Sequence, residues 1–187
     1  VIGYYDETQT TAGTHSAALS LVQGAGGNNY NLLSESVYQS SVDTLSGTSR
    51  TLNVSPANFK IIYVQIDGMD TSSTSVPILR LGTAGAAVVT GYNGAGSTGT
   101  SVSNGSTGAS LGGTHTAAYV KNGMLTLARM GTSNKWAISG TIKHSEAGQF
   151  STTGYIVDIG GNLDTLVLTM IDGTSTFNAG SWSWSGF

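Results

Sequence analysis

The sequence predicts an all-β protein, a sandwich or barrel of short strands, on three observations. Its 187 residues include 27 glycines, 25 serines and 25 threonines, so about two-fifths of the chain is of types that weaken helix interiors. Only 9% of residues are charged, against roughly 25% in an average soluble domain, which leaves few of the strong helix formers Lys, Arg and Glu. Hydrophobic residues still reach 39%, enough to exclude disorder driven by charge and polarity. A chain of this length forms one domain, or one domain with an extension, and buries roughly 70% of its unfolded surface. It needs no staples, and with zero cysteines it has none.

The elements follow in chain order. Residues 1–49 carry few continuous apolar runs and read as an N-terminal arm or extra strands, with a turn-like stretch from Gly24 to Asn29. The best helix candidate in the whole chain is Leu32–Asp43, weakened by its serines. Residues 50–187 form the β-sandwich domain. Its first strand is Phe59–Asp67, with β-branched and aromatic residues on both parities, as expected for a central strand covered on both faces. Val76–Leu81 and Ala86–Thr90 are short strands ending at glycine turns. Gly91–Gly113 is a low-complexity stretch with little to bury and is expected to be a long exposed loop, or a pair of them.

Met124–Met130 alternates Leu125 and Leu127 against Thr126 and Ala128. Lys135–His144 alternates more clearly: Trp136, Ile138 and Ile142 share a core face with Gly140, while Ser139, Thr141 and Lys143 point to solvent. Tyr155–Ile159, Leu163–Ile171 and Thr176–Trp184 complete the strands, separated by Gly, Asn and Asp. No internal repeat of fixed period is present, which argues against solenoids and propellers.

Several function classes lose support at this level. The net charge is −3 and the seven Lys and Arg residues are dispersed, so no basic stripe exists for a nucleic-acid backbone. No apolar run approaches the roughly 20 residues that span a bilayer, and no membrane insertion is expected. The chain begins without Met, which reads as processing or as a fragment. Gly108-Ala109-Ser110-Leu111-Gly112 matches the nucleophile-elbow pattern, and Gly94–Gly99 imitates a dinucleotide fingerprint. Both are common by chance in a chain so rich in Gly and Ser, and neither sits in a strand–turn–helix context. His15, His115 and His144 share no ligand spacing, and Asp67-Gly68-Met69-Asp70 lacks the alternation of a calcium loop. Neither a catalytic residue, a metal site nor a cofactor is predicted; the expectation is a non-enzymatic protein.

With so few charges, partners must be recognised by flat apolar faces and neutral hydrogen bonds. Trp182 and Trp184 lie two apart in the last strand, so both indoles fall on one face, which is either a sugar-stacking platform or core and subunit contact. Tyr92, followed by Asn93 at the start of the polar stretch, is a candidate rim contact for a ligand, or a ring that caps the sandwich edge.

The run Leu79-Arg80-Leu81-Gly82-Thr83-Ala84-Gly85, followed by Val88-Val89-Thr90-Gly91-Tyr92, resembles a module found in many tailed-phage virion proteins. There a strand enters Leu-Gly-Thr/Asp, a small-residue turn, then Gly-Tyr and a polar loop. Lys135–Gly140 resembles that module's Trp-containing strand, Leu163–Leu168 its next core strand, and Thr176–Trp182 its closing Thr-Phe-x-x-Gly. The resemblance covers about residues 50–187 and supplies no catalytic residue. It implies a jelly-roll-like antiparallel β-sandwich exposed on a virion, on tail or capsid, with other virion proteins and further copies of itself, most simply a homotrimer, as partners. The leading expectation is a tail-fibre receptor-binding domain attaching to host-surface polysaccharide. The alternatives are a capsid decoration or cement protein, and a secreted carbohydrate-binding module or depolymerase fragment.

Overall fold

The computed structural model describes residues 37–187 apart from 56, 100, 114–116, 118 and 146–148. Among the described residues there are fourteen strands and no helix. The chain enters through β1 (Tyr38–Gln39), β2 (Asp43–Thr44) and β3 (Ser49–Asn53), then runs through the long β4 (Ile61–Thr71), β5 (Pro77–Thr83) and the two-residue β6 (Ala86–Ala87). The glycine-rich region holds β7 (Asn93–Thr98), β8 (Ser101–Ser103) and β9 (Ala109–Ser110). The chain closes with β10 (Lys121–Arg129), β11 (Lys135–His144), β12 (Phe150–Asp158), β13 (Thr165–Met170) and β14 (Phe177–Gly186).

Two antiparallel sheets face each other as a jelly-roll-like sandwich. The larger has nine strands in the order β1-β14-β4-β10-β11-β12-β7-β8, with β2 also paired to β14. The smaller has five, β3-β13-β5-β6, with β9 paired to β5. Alternation along each strand sends one set of side chains between the sheets. Ile62, Val64 and Ile66 of β4, Leu125 and Leu127 of β10, and Trp136, Ile138 and Ile142 of β11 form one side of the core. Leu79 and Leu81 of β5 and Leu166, Leu168 and Met170 of β13 form the other.

β4 runs past the predicted end at Asp67 because it bulges instead of turning. Gly68 takes φ +66°, opposite Gly180 at φ +106°, and the β4–β14 register shifts on either side of Ala179. Asp67 to Asp70 is therefore a bulged strand and not a strand end. The β5–β6 hairpin turns on Ala84 (φ 53°) and Gly85 (φ 75°), the positive pair required by the tight turn that matches strand twist. The Asp164 carboxylate accepts the Gly85 N–H at 3.2 Å from outside the hairpin.

Two expectations are corrected. The helix candidate Leu32–Asp43 falls partly outside the described residues, but within them Tyr38–Gln39 and Asp43 are in strands, paired to Gly186, Ser185 and Trp182 of β14. An available strand edge satisfies these backbone groups where the local sequence supports a helix poorly. Gly91–Gly113 is not an exposed loop: it contributes three strands, and 108–113 are buried. Small residues make this possible, because a Cβ on Gly96 would stand 2.5 Å from the Ser110 carbonyl oxygen, so only glycine lets β7 and β9 come this close. β9 pairs with β5 of the smaller sheet, and its Ser110 carbonyl accepts the Thr153 hydroxyl from β12 of the larger. It closes one open side of the sandwich.

The opposite side is closed by a polar clasp. Arg50 on β3 forms a paired, charge-assisted contact with Asp43 on β2, its Nε donating to Oδ2 at 2.9 Å. Asp43 Oδ2 also accepts the Trp182 indole N–H at 3.0 Å, and Trp184 donates to the Asn53 carbonyl at 2.9 Å. The clasp joins the two sheets through residues 37–53, which pack as part of the sandwich.

Candidate functional site

On the larger sheet, the residues that alternate with the core set point outward, and the register lines them up in rows across the strands. One row is Gln65, Met124, Thr141, Thr152 and Ser97, each paired to the next. Beside it runs Tyr63, Thr126, Ser139, Gly154 and Ala95, and then Ile61, Ala128, Ala137, Ile156 and Asn93. None of these positions is charged. Charges flank the rows at the two ends of the strands: Asp67 and Lys143 beyond the first row, and Lys60, Arg129 and the register pair Lys135 and Asp158 beside or beyond the third. Successive side chains in a row are about 4.8 Å apart, the spacing of neighbouring strands.

This face has firm backing, because the reverse side of β4, β10, β11 and β12 is the hydrophobic core, and behind β7 the backbone of Ser110 and Gly112 packs against Gly96. Its polar groups are partly tied together: Ser97 and Thr152 share a hydroxyl–hydroxyl bond of 3.0 Å, and Ser183 donates to Gln65 Oε1 at 3.2 Å. Tyr63 meets Phe187 edge to face, with ring centroids 5.8 Å apart. Met124 and Ile156 remain 47% and 46% exposed. The arrangement offers neutral donors and acceptors interleaved with apolar patches.

The residues singled out from sequence separate in the structure. Trp182 and Trp184 lie together between the sheets, 1% and 3% exposed, with Phe59 edge-on to Trp184 at 5.3 Å. No ring face of either indole is open to solvent, and both N–H groups are used inside the clasp. Tyr92 is likewise buried, its hydroxyl accepting the Leu81 N–H at 2.7 Å, and burial pushes its pKa up to about 12. Asn93 stands exposed at the margin of the outer face, beside Ile156. His15 and His115 lie outside the described residues.

A second polar cluster is buried at one end of the sandwich. His144 Nε2 is 2.7 Å from Ser151 Oγ, which is 2.5 Å from Thr98 Oγ1, and that hydroxyl accepts the Gly113 N–H at 3.0 Å. Lys121, directly across from His144 in the ladder, donates to the Tyr119 carbonyl at 2.7 Å. Burial lowers its pKa to about 8, partly opposed by Asp70. The His144–Ser151 distance is one that nucleophile–base pairs use, yet both groups are at most 2% exposed and the chain of hydroxyls ends on backbone. It acts as internal hydrogen bonding. Among the described residues, no group of three or more His, Asp or Glu could hold a metal ion.

Sequence reading identified Ser139 and Thr141 as outward on β11 but missed Tyr63, Gln65, Met124 and Thr152 as their neighbours. Parity was legible within a strand, whereas the rows depend on the order β4-β10-β11-β12-β7, which pairs strands far apart in sequence. His144 shares the parity of Trp136, Ile138 and Ile142, so its inward direction was readable. The chain matches no family model, no curated protein and no solved structure at a significant level.

Proposed function

We propose that this protein is a non-enzymatic structural component of a tailed-phage particle, whose sandwich is the receptor-binding domain of a tail fibre and attaches to host-surface glycan as a homotrimer. The observation that carries the reading is the set of three uncharged rows on the outer face of the nine-stranded sheet, with the core behind β4, β10, β11 and β12. Its setting comes from the ordered motifs, which fall on core positions of successive strands. Leu79 and Leu81 lie in β5, Tyr92 is hydrogen-bonded back to Leu81, and Trp136, Leu166 and Phe177 are buried in β11, β13 and β14.

A wettable surface built from hydroxyls instead of ions suits a domain held outside a cell. Each contact it makes is weak, and display in several copies raises avidity by about 10² to 10⁴ through effective concentration alone. Immunogold imaging of phage particles with an antibody against this chain tests the setting. Label at the tail tip is expected, label on the head makes the protein a capsid decoration instead, and particles without label remove the virion assignment. Light scattering of the purified chain is expected to give three times the monomer mass; a monomer contradicts the trimer.

A further inference from the structure

The outer face has a direction. Its rows cross five strands at right angles to the chain, with hydroxyl and amide groups at Gln65, Thr141, Thr152 and Ser97, and beyond the Tyr63 row an apolar band from Ile61 through Ala137 to Ile156. Hydroxyl groups therefore repeat at about 4.8 Å over Thr141, Thr152 and Ser97, close to the length of one sugar ring, with the Gln65 amide one strand beyond Met124, while the apolar band offers contact to the C–H faces of such rings. Charge decides the class of partner. An anionic or cationic polymer needs opposite charges along its path to offset desolvation, and the three rows have none; a neutral polymer needs none. Asn93 and Tyr63 bracket the strip at opposite margins, on β7 and β4.

From these rows we infer that the outer face of β4, β10, β11, β12 and β7 is a binding site for an extended chain of neutral polysaccharide lying across the strands. The inference rests on the receptor-binding reading and specifies its ligand and its residues. The polymer's hydroxyls exchange hydrogen bonds with Gln65, Thr141 and Thr152, and its apolar ring faces cover Met124 and Ile156. Several shallow contacts in series, none of them deep, give an affinity that is low for one copy and insensitive to salt.

Electrophoresis of the full chain through gels containing mannan, dextran or laminarin, with alginate and heparin as acidic controls, tests this. Retardation by at least one neutral polymer is expected, unchanged by added salt, with no retardation by the acidic pair. Thr141→Glu and Thr152→Glu place a carboxylate in the strip and are expected to weaken retardation at least about tenfold, and Gln65→Ala severalfold. Thr51→Glu, exposed on β3 of the other sheet, is expected to leave it unchanged. Gln65→Ala and Asn93→Ala keep the test decisive if a carboxylate variant fails to fold. Retardation by acidic polymers alone, retardation by no polymer, or retardation indifferent to every strip variant overturns the site. Cell adhesion measured on the same variants separates the two claims. Adhesion that survives them overturns the strip while the receptor-binding reading stands, and wild-type protein that adheres to no cell removes that reading itself. If the carboxylate variants change the light-scattering mass and no polymer binds, the face belongs to a second copy of the chain and the inference falls.

Discussion

Three tryptophans with nearly equal burial differ in what their indole N–H groups do. Trp182 donates to Asp43 and Trp184 to the Asn53 carbonyl, whereas Trp136 Nε1 finds no acceptor among the described residues. A buried donor without a partner is itself destabilising, so replacing it removes a penalty along with some packing. Trp182→Phe is expected to cost about 1 kcal/mol more than Trp136→Phe in urea unfolding, and equal costs contradict this account of the clasp. Lys121 is a second residue whose burial works against the fold. Its folded pKa of about 8 lies below the ordinary lysine value near 10.4, so the unfolded chain binds more protons between these limits, and stability rises with pH there. Below about pH 8 the penalty is complete. Lys121→Met is expected to gain about 1 kcal/mol at pH 7, with the gain shrinking as pH approaches about 10; a gain independent of pH assigns it to packing alone.

At the scale of elements, turns carry the sequence-specific information. Ala84 occupies a left-handed position that costs a side-chain-bearing residue about 1 kcal/mol, and asparagine or glycine tolerates it better. Ala84→Asn is expected to raise stability by about 0.5 to 1 kcal/mol without moving the hairpin; a loss would show that Asp164 already compensates for the strain. The loop after β13 is held by Asp172, whose carboxylate accepts the N–H groups of Thr174 and Ser175 at 3.0 Å and the Ser175 hydroxyl. Ser175 in turn meets Ser73 of the β4–β5 loop at 2.6 Å.

These bonds, the Ser175 hydroxyl first, hold the Asp172 pKa down to about 2. A depressed carboxyl stabilises fully above its unfolded value near 4, and that contribution fades as pH falls towards 2. Asp172→Ala is expected to cost about 1 kcal/mol at pH 7 and almost nothing at pH 2, read from urea midpoints. Strand identity was legible where alternation was strong, as in Lys135–His144, whose bounds the structure keeps. It was hidden in Gly91–Gly113, because close packing of backbone on backbone leaves no hydrophobic period to read. It was also hidden before residue 50, where β1 and β2 exist only because β14 offers them an edge.

At the scale of the molecule, the buried Lys121 and His144 sit together at one end of the sandwich, and the three outward rows across β4, β10, β11, β12 and β7 carry no charge. The fold class followed from composition and parity, but the face followed from long-range pairing that no local pattern records. The proposed trimer and glycan site together predict weak binding by a single copy and strong adhesion by the assembly. Hydroxyl-radical footprinting of the full chain, with and without the neutral polysaccharide that retards it most, reads that face directly. Met124, Tyr63 and Ile156 are expected to lose reactivity together on binding, while Ile171, equally open on the distant β13–β14 loop, keeps its own. Unchanged reactivity at Met124 and Tyr63 with polymer bound, or protection centred on the loop, would contradict adhesion through the outer face.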